Sequence, residues 1–226
     1  MEKTKINVLI NENVNNTSYI NLLSKVYQVN VIPASEYTYE KLDLILFVGG
    51  EDVDPRTYGE LPGKYTSVNL KRDDYEKRYL FYKDHCRNVP KLGICRGSQL
   101  LTVLSGGKLI QHVNNHGIGG THPIVFRGAF KGMSAEITST HHQMMYPYDL
   151  NENDYEIIAT TDKYLSTTYL NGNNTETVLH KKFEECEIVY YPDTLSLCIQ
   201  GHPESSNCPE STQNIILSLI ANKLNL

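Results

Sequence analysis

The heptapeptide Gly93-Ile94-Cys95-Arg96-Gly97-Ser98-Gln99 sets one thiol between two glycines, where a strand pattern gives way to a helix pattern. Gly-x-nucleophile-x-Gly is the form of a nucleophile elbow. Its glycines leave room for a tight strand-to-helix turn that lifts the central side chain above a sheet. A thiol at a helix N-terminus lies at the positive end of the helix dipole, which favours its reactive thiolate form. The N–H of Arg96 would face the same space and stabilise an oxyanion. A buried structural cysteine is the competing reading, because free cysteine is among the most buried residue types. The tetrapeptide Gly201-His202-Pro203-Glu204 weighs against it. A catalytic thiol needs a base, and the base needs a carboxylate to fix its tautomer and support its charge. His202 and Glu204, directly after the apolar run Leu195–Gln200, can supply both.

These side chains need a scaffold that carries residue 202 to residue 95. Ile6–Ile10 reads as a first strand and Tyr19–Tyr27 as a helix, with Ile20, Leu23 and Val26 at three-residue spacing and Ser18 as its cap. Val29–Ile32 reads as a second strand. Leu42–Val48 is apolar almost throughout, as a strand buried on both faces is, and it ends on Gly49-Gly50. A charged helix is expected over Asp73–Arg87, with Tyr79, Leu80 and Tyr82 facing inward. A strand over Lys91–Ile94 then runs into Cys95, and a helix over Arg96–Leu104 is stopped by Gly106-Gly107. Strand–helix alternation of this kind builds an α/β fold, a mostly parallel sheet with helices on both faces in a three-layer sandwich. Beyond residue 107, short β-rich pieces at His122–Arg127, Glu156–Thr160, Thr177–Lys181, Glu187–Tyr191 and Leu195–Gln200 pair locally or extend that sheet. Ser211–Leu224 closes the fold as an amphipathic helix. No repeat or linker divides residues 1–226, so a single domain is expected. Ligands in open α/β sheets bind at the carboxyl ends of strands, where Gly49-Gly50, Cys95 and His202 all fall. Gln99 lies one helical turn after Cys95, on the same face.

Of the 226 residues, 40% are hydrophobic and 21% charged, the balance of a globular chain. A net charge of −5 without any basic block gives no electrostatic footing for a nucleic acid or an anionic membrane. No apolar stretch approaches the roughly 20 residues of a spanning helix. The first residues show no leader pattern, and five scattered cysteines read as free thiols, so a reducing cytoplasm is expected. His112, His116 and His122 lie near one another and His141-His142 are adjacent. Yet no pair has His-Glu-x-x-His spacing, and no cysteine pair has zinc-site spacing. These histidines are read as loop and pocket-rim residues; no metal and no cofactor is expected. Sixteen tyrosines without a tryptophan read as core and interface rather than as a stacking platform, and hint at self-association as a homodimer.

Taken in order, GICRGSQ and HPE resemble the class I glutamine amidotransferase family, whose fold is flavodoxin-like. Three further stretches are similar to its free-standing γ-glutamyl hydrolases, the group that includes γ-glutamyl-γ-aminobutyrate hydrolase. They are Gly49-Gly50-Glu51-Asp52-Val53-Asp54-Pro55 with Tyr58 and Glu60, Arg72-Asp73 with Glu76, and Ser139-Thr140-His141-His142-Gln143. The resemblance implies that Cys95 attacks the γ-carbonyl of a glutamyl group to give a thioester and expel an amine. It implies that His202 moves the protons, that Glu204 orients His202, and that the N–H groups of Gly50 and Arg96 form the oxyanion hole. Gly49, Gln99, Ser139, His141 and Gln143 would bind the glutamyl moiety.

The chain departs from that pattern at Gly201, where relatives carry a bulky aromatic, at Glu51 and at Thr138. A missing side chain at Gly201 is expected to widen the leaving-group side of the pocket. The leaving group stays open between an amino acid or polyamine-type amine and a nucleotide phosphoramidate of the γ-glutamyl-CDP-amidate type. Arg56, Lys64, Lys71 and Arg72 would meet the phosphate of the latter. Two other classes compete with a hydrolase: a glutaminase subunit that passes ammonia to a synthetase partner, and a non-enzymatic binding module. The loop at Gly49 and the His-His-Gln segment favour the hydrolase, and the intact Cys95, His202 and Glu204 weigh against the module.

Overall fold

The computed structural model describes residues 3–38 and 40–226. Among them the helices are α1 (Thr17–Leu23), α2 (Leu70–Glu76), α3 (Arg96–Leu104) and α4 (Glu210–Leu224). The strands are β1 (Thr4–Ile10), β2 (Tyr27–Pro33), β3 (Leu44–Phe47), β4 (Lys91–Ile94), β5 (Lys108–Ile110), β6 (His112–Val113), β7 (Thr121–Phe126), β8 (Ser134–Thr138), β9 (Met144–Tyr146), β10 (Glu156–Thr161), β11 (Tyr169–Leu170), β12 (Cys186–Tyr191) and β13 (Ser196–Ile199).

A nine-stranded sheet runs in the order β2-β1-β3-β4-β13-β12-β10-β7-β8. Its first five strands are parallel neighbours, and the rest extend it antiparallel. Strand alternation feeds two cores. Leu44 and Leu46 pack with Val8 and with residues of α1 and α4 on one face. Ile45 and Phe47 pack with Leu9, Leu100 and Leu101 on the other. Two-sided burial is what makes β3 a continuous apolar run, and it produces the three layers the sequence implies.

β4 and α3 have the expected bounds. The first helix ends earlier, at Leu23, because Tyr27 already opens β2, and its N-cap is Asn16 rather than Ser18. The expected helix over Asp73–Arg87 starts at Leu70, where the Asn69 side chain accepts from the Arg72 N–H. It stays α-helical only to Glu76, then widens into a π turn over Lys77–Phe81. That change of period leaves Leu80 buried but Tyr79 and Tyr82 exposed, against the inward placement the sequence suggests. Thr177–Lys181 forms no strand, and Val178 there is 94% exposed. No described helix is long and apolar enough to cross a membrane.

Candidate active site

Parallel register sets the site. Phe47 of β3 pairs with Gly93 of β4, and Ile199 of β13 pairs with Ile94, so the segments that leave these strands at Gly49, Cys95 and His202 emerge side by side. Cys95 occupies φ 53, ψ −114, the sharp turn between β4 and α3. A non-glycine residue held there costs about 1–3 kcal/mol, which the surroundings must enforce. The flanking glycines explain how. A Cβ at Gly93 would stand 2.7 Å from the Gly97 carbonyl oxygen, and a Cβ at Gly97 would stand 2.1 Å from the Phe47 carbonyl oxygen. The helix start is thus pressed onto both strands, and only hydrogen fits between.

Below the elbow the Arg96 side chain is buried and ion-paired with Asp73 and Glu76. Glu76 also accepts from Arg72 Nε at 2.9 Å and from Asn11 at 3.0 Å. Arg72 in turn donates to the Val48 carbonyl at 2.9 Å and to Glu51 at 3.2 Å, and Asp73 accepts from the Asp54 N–H at 2.8 Å. This network ties the loop at Gly49-Gly50 to the helix that starts after Cys95. A Cβ at Gly50, whose φ is 147, would fall 2.0 Å from Arg72 Nη1.

His202 Nδ1 lies 2.7 Å from Glu204 Oε1. Burial disfavours charge on His202, but hydrogen bonds to Cys95 and Glu204 and their negative charge outweigh it and push the imidazole up to about 10. His202 therefore carries a proton at neutral pH. The backbone N–H of His202 donates to the Thr138 carbonyl at 2.9 Å. Tyr19 is a member that sequence patterns did not single out. Its hydroxyl accepts from the Gly49 N–H at 3.1 Å, and burial together with the Glu204 charge holds it well above its ordinary pKa. A Cβ at Gly49 would meet this hydroxyl at 2.8 Å, His202 Cε1 at 3.2 Å and Cys95 Cβ at 3.6 Å. Gly49 is thus the small residue around which Tyr19, Cys95 and His202 close.

In front of Cys95 lies a cleft of about 200 Å³, lined by Gly50, Glu51, Asp52, Gln99, His141 and Gln143 among others. Gln99 Nε2 donates to the Gln143 carbonyl at 3.2 Å, while Gln143 Oε1 is buried without a partner. Ser139 is placed differently from the binding role expected of it. Its hydroxyl is buried and donates to the His116 carbonyl at 2.6 Å, so it shapes the segment from behind.

Two other expectations change. Gly201 does not widen the pocket: a Cβ there would meet Ile137 at 2.7 Å and the Thr138 carbonyl at 2.8 Å, so close packing against β8 excludes a side chain. The four basic residues do not form one cationic patch. Arg72 is held inside the network, Arg56 pairs with Asp54 at 3.3 Å, and Lys71 lines a separate depression with Asn11 and Tyr75. Only Lys64 joins the rim beyond the cleft. It stands 4.6 Å from the ring centre of Tyr65, which stacks on His112 at 4.0 Å, and His112 lies 5.8 Å from His142. His142 is pushed up from its ordinary pKa, first by its hydrogen bond to Asp52 at 3.1 Å. The histidines expected at a pocket rim divide into two groups, because His116, His122 and His141 are buried together inside.

Comparison with known proteins places the chain in a family. The profile of the family described as Peptidase C26 matches residues 9–164, which include Cys95 and end before His202 and Glu204. "Putative glutamine amidotransferase PB2B2.05" of Schizosaccharomyces pombe is 29% identical over 170 residues, 73% of this chain and 62% of that protein. The chain thus spans less than two thirds of that relative's length. "Putative glutamine amidotransferase-like protein YvdE" of Lactococcus lactis is 26% identical over 188 residues, 80% of this chain and 74% of that protein. Among solved structures, a "putative gmp synthase subunit a protein" from Thermoplasma acidophilum superposes with a TM-score of 0.63 at 15% identity, covering 97% of this chain and 94% of its own. At that identity the likeness concerns the fold, which is that of the class I glutamine amidotransferases.

Proposed function

The chain belongs to the Peptidase C26 family of class I glutamine amidotransferase-like proteins, and we propose that it is a cysteine hydrolase that cleaves γ-glutamyl amide bonds. The observation that carries this reading is the placement of His202, bonded to Glu204 at 2.7 Å and closing on Gly49 beside Cys95 at the mouth of parallel strands. In the proposed reaction Cys95 Sγ, a thiolate whose proton resides on His202, bonds to the γ-carbonyl carbon, and the oxyanion that forms is met by the N–H groups of Gly50 and Arg96. His202 gives its proton to the leaving nitrogen as the C–N bond breaks, leaving a thioester. It then takes a proton from water, which attacks the thioester; the C–S bond breaks to release glutamate and restore the Cys95 thiolate beside protonated His202. Glu204 keeps the His202 ring in position throughout.

The cleft is smaller than the roughly 300–1,000 Å³ of sites that enclose drug-sized ligands, so it suits the glutamyl end, with the leaving group on the rim. Glu51 and Asp52 suit its α-ammonium group, and Gln99 and the backbone at His141 and Gln143 its other polar atoms. For the leaving group, the row of Lys64, Tyr65, His112 and His142 supports a nucleotide phosphoramidate over a bare amino acid or polyamine-type amine. It offers the Tyr65 ring to stack on and the Lys64 ammonium for phosphate oxygens, with the His142 imidazole beside them as a donor. The proposed setting is the cytoplasm, where the five buried free cysteines stay reduced.

Glutamate release should be measured from glutamine, γ-glutamyl-aminobutyrate and a γ-glutamyl nucleotide phosphoramidate. The reading expects one amide to be turned over strongly by the chain alone. Lys64→Ala and Tyr65→Ala should lower kcat/KM for the nucleotide substrate only. A preference for a plain amine, unchanged in both variants, would remove the nucleotide part. The second reading, a glutaminase subunit, is supported by the likeness to a synthase subunit; it requires glutamine to be consumed only when a partner is added.

A further inference from the structure

We infer that His116, His122, His141 and Glu187 form a buried site for a divalent transition-metal ion, zinc by preference. One ligand atom from each lies within 4.8 Å of all the others, and all four side chains are buried. They come from four separate places: the loop before β7, β7 itself, the segment behind the cleft, and β12.

The hydrogen-bond inventory points to a missing partner. Among the described residues, both ring nitrogens of His116, His122 Nε2, His141 Nε2 and both Glu187 oxygens are buried without a hydrogen bond. Each such group left unpaired costs about 1–3 kcal/mol; a single cation would satisfy one nitrogen of each histidine and the Glu187 carboxylate together. In His141 and His122 the second ring nitrogen fixes the tautomer. His141 Nδ1 donates to the Gln143 carbonyl at 2.8 Å, and His122 Nδ1 faces the Pro123 carbonyl at 3.4 Å, which leaves each Nε2 with a bare lone pair. His116 Nε2 faces Glu185 at 3.4 Å, and its Nδ1 points to Glu187 at 3.6 Å. Glu185 is saturated by the N–H groups of Leu165 and Ser166 and the hydroxyls of Thr161 and Tyr169. It therefore remains a carboxylate behind the histidine, the arrangement that orients metal-bound imidazoles.

Spacing bears on the same reading. Zinc–nitrogen bonds of about 2.0–2.1 Å in a tetrahedron separate ligand atoms by about 3.3 Å. His122 Nε2 lies 3.4 Å and His116 Nδ1 3.6 Å from Glu187 Oε1, near that spacing, while the cluster as a whole spans up to 4.8 Å and would close in around the ion. Three imidazoles and a carboxylate leave no open position, so the ion is structural. Through His141 it would brace the segment whose Gln143 carbonyl receives Gln99 in the cleft wall.

Untagged wild-type protein should carry one zinc per chain by elemental analysis after exhaustive desalting, with an absorption-edge spectrum showing imidazole and oxygen ligands but no sulfur. Cys95→Ala should keep the metal, whereas His122→Ala and Glu187→Gln should lose most of it. Chelation of wild type should lower Tm, and added zinc should restore it. The inference is overturned if wild type holds no metal and zinc leaves the Tm of chelated protein unchanged, as a proton-sharing carboxylic acid–imidazole cluster would behave. It is equally overturned if sulfur ligates the ion, or if both variants retain it. The wild-type measurements decide the matter even where a variant fails to fold.

Discussion

Cys95 is a thiol forced into a left-handed turn, and its neighbour His202 holds a proton that burial alone would remove. The folded pKa of His202 lies above its ordinary value of 6.5, so its protonation contributes stability that is complete below pH 6.5 and is lost as pH rises through about 10. In Cys95→Ala one of the two groups that raise it is gone. The ring titration, followed by NMR of labelled histidine, should then move down towards 6.5, and the Tm gap between wild type and variant should close with rising pH. A titration midpoint indifferent to Cys95 would break the link between the two residues. His202→Ala should lose a factor of roughly 10²–10⁴ in glutamate release at neutral pH, the usual worth of a positioned acid–base group. These residues were legible because elbow and His-x-Glu are short local patterns. Tyr19 was not, since its partner Gly49 lies thirty positions away and nothing in the first helix marks a hydroxyl as special.

At the scale of elements, the elbow depends on packing as much as on the residues it presents. Gly97→Ala forces a methyl against the Phe47 carbonyl and should cost about 1–3 kcal/mol or more in a denaturant titration. Gly201→Ala should act the same way through Ile137, lowering turnover of every amide alike rather than changing selectivity. A shift in substrate preference without loss of stability would restore the idea that Gly201 shapes the pocket. Arg96→Met leaves Asp73 and Glu76 buried and short of a cation, which should destabilise the fold by about 3–5 kcal/mol. β4 and α3 could be read to the residue because an apolar run, a turn signal and helical spacing agree there. The segment after α2 could not, because a single π turn rotates Tyr79 and Tyr82 away from the face that regular helical spacing assigns them.

Over the whole molecule, the parallel half of the sheet brings Gly49, Cys95 and His202 to one edge, while the antiparallel half carries β7 and β12 behind the cleft wall. The first half follows from strand–helix alternation. The gathering of His116, His122, His141 and Glu187 does not, because its members are scattered over loops and two strands whose pairing no local spacing records. At this scale the account predicts that the chain alone releases glutamate, at a rate unchanged by adding a synthetase. A large stimulation by such a partner, seen with glutamine only, would favour the subunit reading. The most direct test of the central claim is to quench wild type and Cys95→Ala with acid during turnover of a γ-glutamyl amide and map the peptides by mass spectrometry. The account predicts a glutamyl group on Cys95 of the wild type, labile to hydroxylamine, and neither adduct nor glutamate release from the variant. Glutamate release that persists in Cys95→Ala, with no adduct on the wild-type thiol, would contradict it.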